Sequence, residues 1–230
     1  MSEGPLKPAS AADRAAEIGA AEADALGRAW WRRVPRVVTA PREVYTALRR
    51  TDDADIAARA EPVLAITIVA GMAAVLLTPA WGRIADDPTV DGLVIAVVTF
   101  IAGVFYGAAG YFVLGLALWV GAKAVGVEVP ARIARQLLGF SALPVALSIA
   151  VLVPVIVLGF GGDWFRSGGD DDGTARHVVV ALGLAFVAWS LALVAYGLRV
   201  TFRLPWQGVV GALSLGSVIV AGFTVLPLVL

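Results

Sequence analysis

Cysteine is absent from the 230 residues, which excludes disulfides, thiolate metal sites and a thiol nucleophile. Histidine occurs once, as His177, and lysine only as Lys7 and Lys123. Charge is missing over long stretches. Five apolar segments, Pro62 to Trp81, Leu93 to about Ala122, Leu137 to Phe160, Val178 to Leu198 and Val209 to Leu230, contain no Asp, Glu, Lys, Arg or His. Ionisable groups inside a membrane mark proton relays and ion pathways, so their absence argues against a proton-driven transporter or a pump for charged substrates. No Walker A loop, strand-bound GxGxxG pattern or zinc-spaced cluster occurs. No cofactor, resident metal or nucleic-acid partner is therefore expected.

What the chain has in abundance is apolar surface. With 59% hydrophobic residues and a mean hydropathy of +0.84, it carries more than one soluble core of this size can hide, and the surplus needs lipid. Each apolar segment meets the requirement of about 20 helical residues for a hydrocarbon core of about 30 Å. The fold expected is all-α: a polytopic membrane bundle of five transmembrane helices with amphipathic juxtamembrane helices. Pro144 and Pro154 each remove a backbone donor from the third segment, which is expected to kink. No cleavable secretory signal is expected, because the first sixty residues hold no continuous apolar run.

Residues 1–40 read as a cytoplasmic, largely disordered basic arm, and 41–230 as the membrane domain. Ser10 and Asp13 are spaced for a helix start before an alanine-rich stretch, yet the apolar stripe of Ile18, Leu26 and Trp30 is thin. Nearer the membrane, Arg32, Arg33, Arg36, Arg42, Arg49 and Arg50 alternate with Trp30, Trp31 and Tyr45. Val44 and Leu48 share a helical face. This pattern predicts a short helix from Pro41 in the headgroup layer, its arginines on anionic lipid, each worth about 1 kcal/mol. A second short helix is expected from an N-cap at Thr51, with Asp52 and Asp53 at its positive end and Arg59 at its negative end, before Pro62 opens the first span.

Basic residues also set orientation. The arm, the loop with Lys123, Arg132 and Arg135, and the loop with Arg199 and Arg203 are basic; the loop with Asp86, Asp87 and Asp91 and the loop with Asp163, Asp170, Asp171 and Asp172 are acidic. The alternation predicts an inside N-terminus and an outside C-terminus in the cell membrane. Arginine far outnumbers lysine, which with richness in Ala, Gly and Val suggests a bacterial coding bias.

Three features invite chemistry. His177 with Ser141 would need a third orienting group that the sequence does not supply, and a boundary histidine reads as an interfacial residue. The loop 161–176 clusters carboxylates without the alternating spacing and distal glutamate of an EF-hand, so it reads as a solvated loop with Trp164 and Phe165 dipping into the interface. Gly103 and Gly107 form a GxxxG pair, and Ala212 with Gly216 and Ser217 with Ala221 repeat small-xxx-small spacing. Such residues let backbones approach closely, here within one bundle in preference to between molecules.

The run RIARQLLGFSALP, from Arg132 to Pro144, resembles the Yip (Ypt-interacting protein) domain family, whose glycine-aromatic-xxx-proline motif reads here as Gly139, Phe140 and Pro144. A cytoplasmic arm, the PREVYTAL segment from Pro41 and five packed helices also resemble that family. The Asp-Leu-Tyr-Gly-Pro run of eukaryotic members has no match here, so their association with prenylated Rab-type GTPases is not carried over. The resemblance implies a membrane-embedded organiser of partners or lipid. Two functions stay open: a non-catalytic scaffold that engages anionic lipid at the arm and a membrane-protein partner or second copy, and a transport or channel component for neutral or lipidic substrates.

Overall fold

The computed structural model describes residues 11–77, 86, 90–161, 163–165 and 174–229, the side chains of 11–17 and 220–229 excepted. The described residues form α-helices and no strand: α1 (Ala11–Trp31), α2 (Arg36–Thr39), α3 (Pro41–Ala47), α4 (Asp53–Ala58), α5 (Ala60–Leu77), α6 (Gly92–Ala124), α7 (Ala131–Ser141), α8 (Leu143–Gly159), α9 (Thr174–Thr201) and α10 (Trp206–Val229), with one 3-10 turn at Asp163–Phe165. Four helical stretches, Asp53–Leu77, Gly92–Ala124, Ala131–Gly159 and Thr174–Thr201, are long and apolar enough to cross a bilayer. The all-α polytopic membrane fold is as expected. The count of five rests on α10, whose apolar stretch Trp206–Ile219 is shorter. Large side chains such as Leu93, Phe100, Phe105 and Leu158 point outward, a waste of apolar surface in water and the natural arrangement in lipid.

Lipid tails are as apolar as leucine, so helices in a membrane gain little from hiding hydrophobic surface and associate through close packing. Glycine supplies that closeness here. A Cβ at Gly107 would run into the Thr67 carbonyl, one at Gly103 into Met72, and one at Gly71 into the Gly103 carbonyl, so α5 and α6 cross backbone to backbone. α10 repeats the device on α6, where a Cβ at Gly121 would strike the Ala212 carbonyl and one at Gly216 would come 3.3 Å from that of Ala117. The Gly103–Gly107 and Ala212–Gly216 pairs are thus used inside the molecule, while the side chain of Ala221, partner of Ser217, lies outside those described.

The third apolar segment differs from expectation. The stretch Ala131–Gly159 begins ahead of Leu137 and is interrupted at one residue, Ala142, which keeps right-handed helical backbone angles and parts α7 from α8. Pro144 falls in the first turn of α8, where a missing N–H leaves no bond unmade, while Pro154 stays inside α8. The second juxtamembrane helix also starts one residue later than predicted. Asp52, not Thr51, is the N-cap of α4, its carboxylate accepting the Asp55 N–H at 2.8 Å. Trp164 and Phe165 do not dip into an interface; they are buried against Val75, Leu152, Ile156 and Val179. Asp170, Asp171 and Asp172 lie outside the described residues.

Leucine substitutions should grade with what each side chain meets. Gly107→Leu should lower the detergent melting temperature most, because the Thr67 backbone cannot yield; overpacking of this kind costs about 1–3 kcal/mol or more. Gly139→Leu should cost less, since the obstacle is the Val63 side chain, and Gly110→Leu should cost little, its nearest neighbour being Leu114 Cδ1 at 4.0 Å.

Candidate functional site: the buried arginine platform

Arg59 follows α4 and precedes the first span, where sequence position suggests a solvated flank. Instead it is fully buried. Its guanidinium forms an ion pair with Asp55 one turn back at 3.5 Å and donates to the Leu48 carbonyl at 3.3 Å, the Arg50 carbonyl at 2.5 Å and Gln136 Oε1 at 3.2 Å. Gln136, on α7, donates in turn to the Ile56 carbonyl at 2.8 Å. Asp55 has a second ligand: the Trp30 indole N–H donates to its Oδ1 at 2.9 Å. The Trp30 ring lies 4.9 Å from the Arg59 guanidinium carbon and 4.5 Å from that of Arg33, and it packs on Phe140 with ring centres 5.6 Å apart. A buried arginine is tolerated only when carboxylate, carbonyl and ring-face contacts together replace its water. Here they come from α1, α4, α7 and the segment after α3.

A second buried link fastens α3. The Tyr45 hydroxyl donates to Ser141 Oγ at 2.7 Å, because the serine proton is already given to the Leu137 carbonyl at 2.8 Å. Thr201, at the end of α9, donates to the Tyr45 carbonyl at 3.0 Å. Gly197 makes room for the Tyr45 ring, since a Cβ there would sit 2.9 Å from Cε1. Burial pushes the Tyr45 phenol well above the ordinary tyrosine value. Ser141 is thereby committed to structure, and His177 stands apart from this cluster in the first turn of α9.

The arm is thus more integrated than residues 1–40 suggested. Residues 11–31 are helical, and Trp30 and Val37 belong to the same apolar core as Tyr45, Leu137 and Phe140. Val44 and Leu48 share a face as expected, but they and the neighbouring Tyr45 are buried in protein, not laid on headgroups. The six arginines divide by environment. Arg33 stacks on Trp30, Arg36 pairs with Glu43 at 3.1 Å, and Arg49 Nε donates to the Val200 carbonyl at 2.9 Å. Arg32, Arg42 and Arg50 are exposed, with no ion-pair partner among the described residues.

Of the three motif positions, Phe140 packs on Trp30 of this platform, Gly139 brings α7 against Val63 of α5, and Pro144 lies in the first turn of α8. The sequence profile of the Yip1 domain matches residues 36–228. The chain belongs to the Yip1 domain family. No curated protein and no solved structure matches it. The Yip1 match opens at Arg36, five residues before the boundary read from the sequence at Pro41, in keeping with the buried Val37.

Sequence reasoning missed Asp55, Arg59 and Gln136. Arg59 and Glu61 flank the apolar run as solvated charges usually do, and only the pairing of an acid and a base one turn apart, with an amide-bearing residue far along the chain, could have hinted otherwise.

Arg59→Gln should destabilise this Yip1-domain protein by about 3–5 kcal/mol, because it strands the Asp55 carboxylate, and adding Asp55→Asn should recover part of that loss. Tyr45→Phe should cost about 0.5–1.5 kcal/mol near neutral pH. A phenol whose pKa is raised by folding gives stability below its unfolded value, near 10, that is lost as pH rises past it. Thermal melts above pH 10 should therefore show the wild type losing stability faster than Tyr45→Phe.

Proposed function

We propose that this Yip1-domain protein is a non-catalytic multi-pass scaffold of the cell membrane, its N-terminus cytoplasmic and its C-terminus outside, which presents a fixed basic surface to anionic lipid and to a membrane-protein partner or second copy. The observation that carries this reading is the use of the buried charge. Arg59, Asp55 and Gln136 spend their hydrogen bonds on holding α1, α3, α4 and α7 together, while Arg32, Arg42 and Arg50 remain exposed on the segments so held. A rigid mount with free cations is what a docking surface requires: low ordering cost on binding and complementarity to negative charge.

Photo-crosslinking in native membranes tests it. A crosslinker at Arg42 should trap a discrete protein adduct that is lost when Arg32 and Arg50 become Gln, and one at outward-facing Leu184 should not. The second reading, a transport or channel component for neutral or lipidic substrates, is favoured by an apolar cleft of about 500 Å³ between α5, α6, α7–α8 and α9. Flux of a labelled neutral solute or lipid in proteoliposomes, with no adduct at Arg42, would favour it over the scaffold.

Orientation has its own test, made simple by the lack of native cysteine. A cysteine at Ser167 should label from outside, and one at Val127 only after the membrane is opened. The reverse pattern would invert the assignment.

A further inference from the structure

Arg135 is a second arginine placed unlike a solvated flank. It lies in the second turn of α7, half-buried, and its stem packs on Gly115, where a Cβ would strike it. Arginines near helix ends ordinarily extend toward water. The Arg135 guanidinium runs the other way along α6, one turn back from Gly115, over the rings of Tyr111 and Phe112 at 5.7 and 5.1 Å. Its Nε is buried without a hydrogen-bond partner, and no carboxylate pairs with it among the described residues. Charge held against aromatic faces and left uncompensated needs an anion from outside the chain.

What lies beyond the guanidinium is the apolar cleft. Tyr111, under the guanidinium, lines it, as does Leu138, one turn after Arg135, so the arginine borders the cleft through these two residues without itself lining it. Its volume, about 500 Å³, falls in the range of ligand sites. Ser190 also lines it. That residue is 8% exposed, and its hydroxyl is buried with no hydrogen-bond partner. An unpaired cation thus borders an apolar trough that holds one unsatisfied hydroxyl.

We infer that the cleft holds one anionic phospholipid, its phosphate on Arg135, an acyl chain in the trough and an ester carbonyl on the Ser190 hydroxyl. A free inorganic anion would leave the trough empty, a lipid without phosphate would leave the guanidinium unpaired, and the choline cation of a zwitterionic lipid would offset its own phosphate beside the arginine; an amphiphile of net negative charge meets both demands. The site is separate from the exposed arginines of the platform and does not rest on the scaffold reading.

Native mass spectrometry of the full chain, released from neutral detergent after delipidation and incubated with dioleoyl-phosphatidylglycerol or dioleoyl-phosphatidylcholine, tests this. The wild type should retain one phosphatidylglycerol about tenfold better than phosphatidylcholine. Arg135→Gln should abolish that preference, and Ser190→Ala should weaken retention of phosphatidylglycerol several-fold. Gly110→Leu should project into the trough without a backbone clash and reduce retention of both lipids, with an unchanged melting temperature showing that the bundle is intact. Arg32→Gln with Arg42→Gln and Arg50→Gln should leave the preference unaltered. The inference fails if phosphatidylcholine is held equally well, if Arg135→Gln or a folded Gly110→Leu behaves as wild type, or if inorganic phosphate displaces the lipid.

Discussion

One guanidinium organises the membrane-proximal half of this protein. Arg59 is fully buried, and an arginine cannot shed its charge to escape that cost. Every segment that touches it is thereby constrained. The chain after α3 must return its carbonyls, α4 must present Asp55 one turn back, α7 must bring Gln136, and Trp30 must close the face. Loss of any of these contacts leaves a polar group unmatched in a place water cannot reach, a penalty of several kcal/mol. A connector that would otherwise drift at the membrane surface becomes a shaped part of the fold.

Within the membrane the governing constraint is distance between backbones. Gly71, Gly103 and Gly107 let α5 and α6 meet, and Gly121 with Ala212 does the same for α6 and α10. The two regimes join at α7 and α8. Gly139 and Phe140 serve the polar platform and the core together, and Ala142, just after them, parts α7 from α8.

Much of this was legible in the sequence, for physical reasons that differ from element to element. Apolar runs without charge announce helices in lipid, because unpaired backbone is not tolerated there and length alone sets the minimum. The Yip1 family was legible from Gly139, Phe140 and Pro144 in the order of the surrounding segments. The platform was not. Composition ranks Arg59, Asp55 and Trp30 as surface or interface residues, and their burial depends on contacts from residues 136 and 140, which no local pattern encodes. The face shared by Val44 and Leu48 was read correctly as apolar, but a one-sided helix does not say whether lipid or protein will cover it. Proline was likewise ambiguous: Pro144 and Pro154 stand in the same apolar run, yet Pro144 falls in an opening turn and Pro154 inside the helix.

The separation in sequence of these contacts also fixes the order in which the chain can be completed. Gln136 lies 77 residues beyond Arg59, Ser141 lies 96 beyond Tyr45, and Thr201 lies 156 beyond Tyr45. At synthesis rates of about 5–20 residues per second, the last of these arrives roughly 8 to 30 seconds after Tyr45 has left the ribosome. For roughly the first 60% of that interval Arg59 still lacks Gln136 and Tyr45 lacks Ser141, and Tyr45 lacks Thr201 to its end. The nascent protein is therefore held for seconds with polar groups that only water or another molecule can serve.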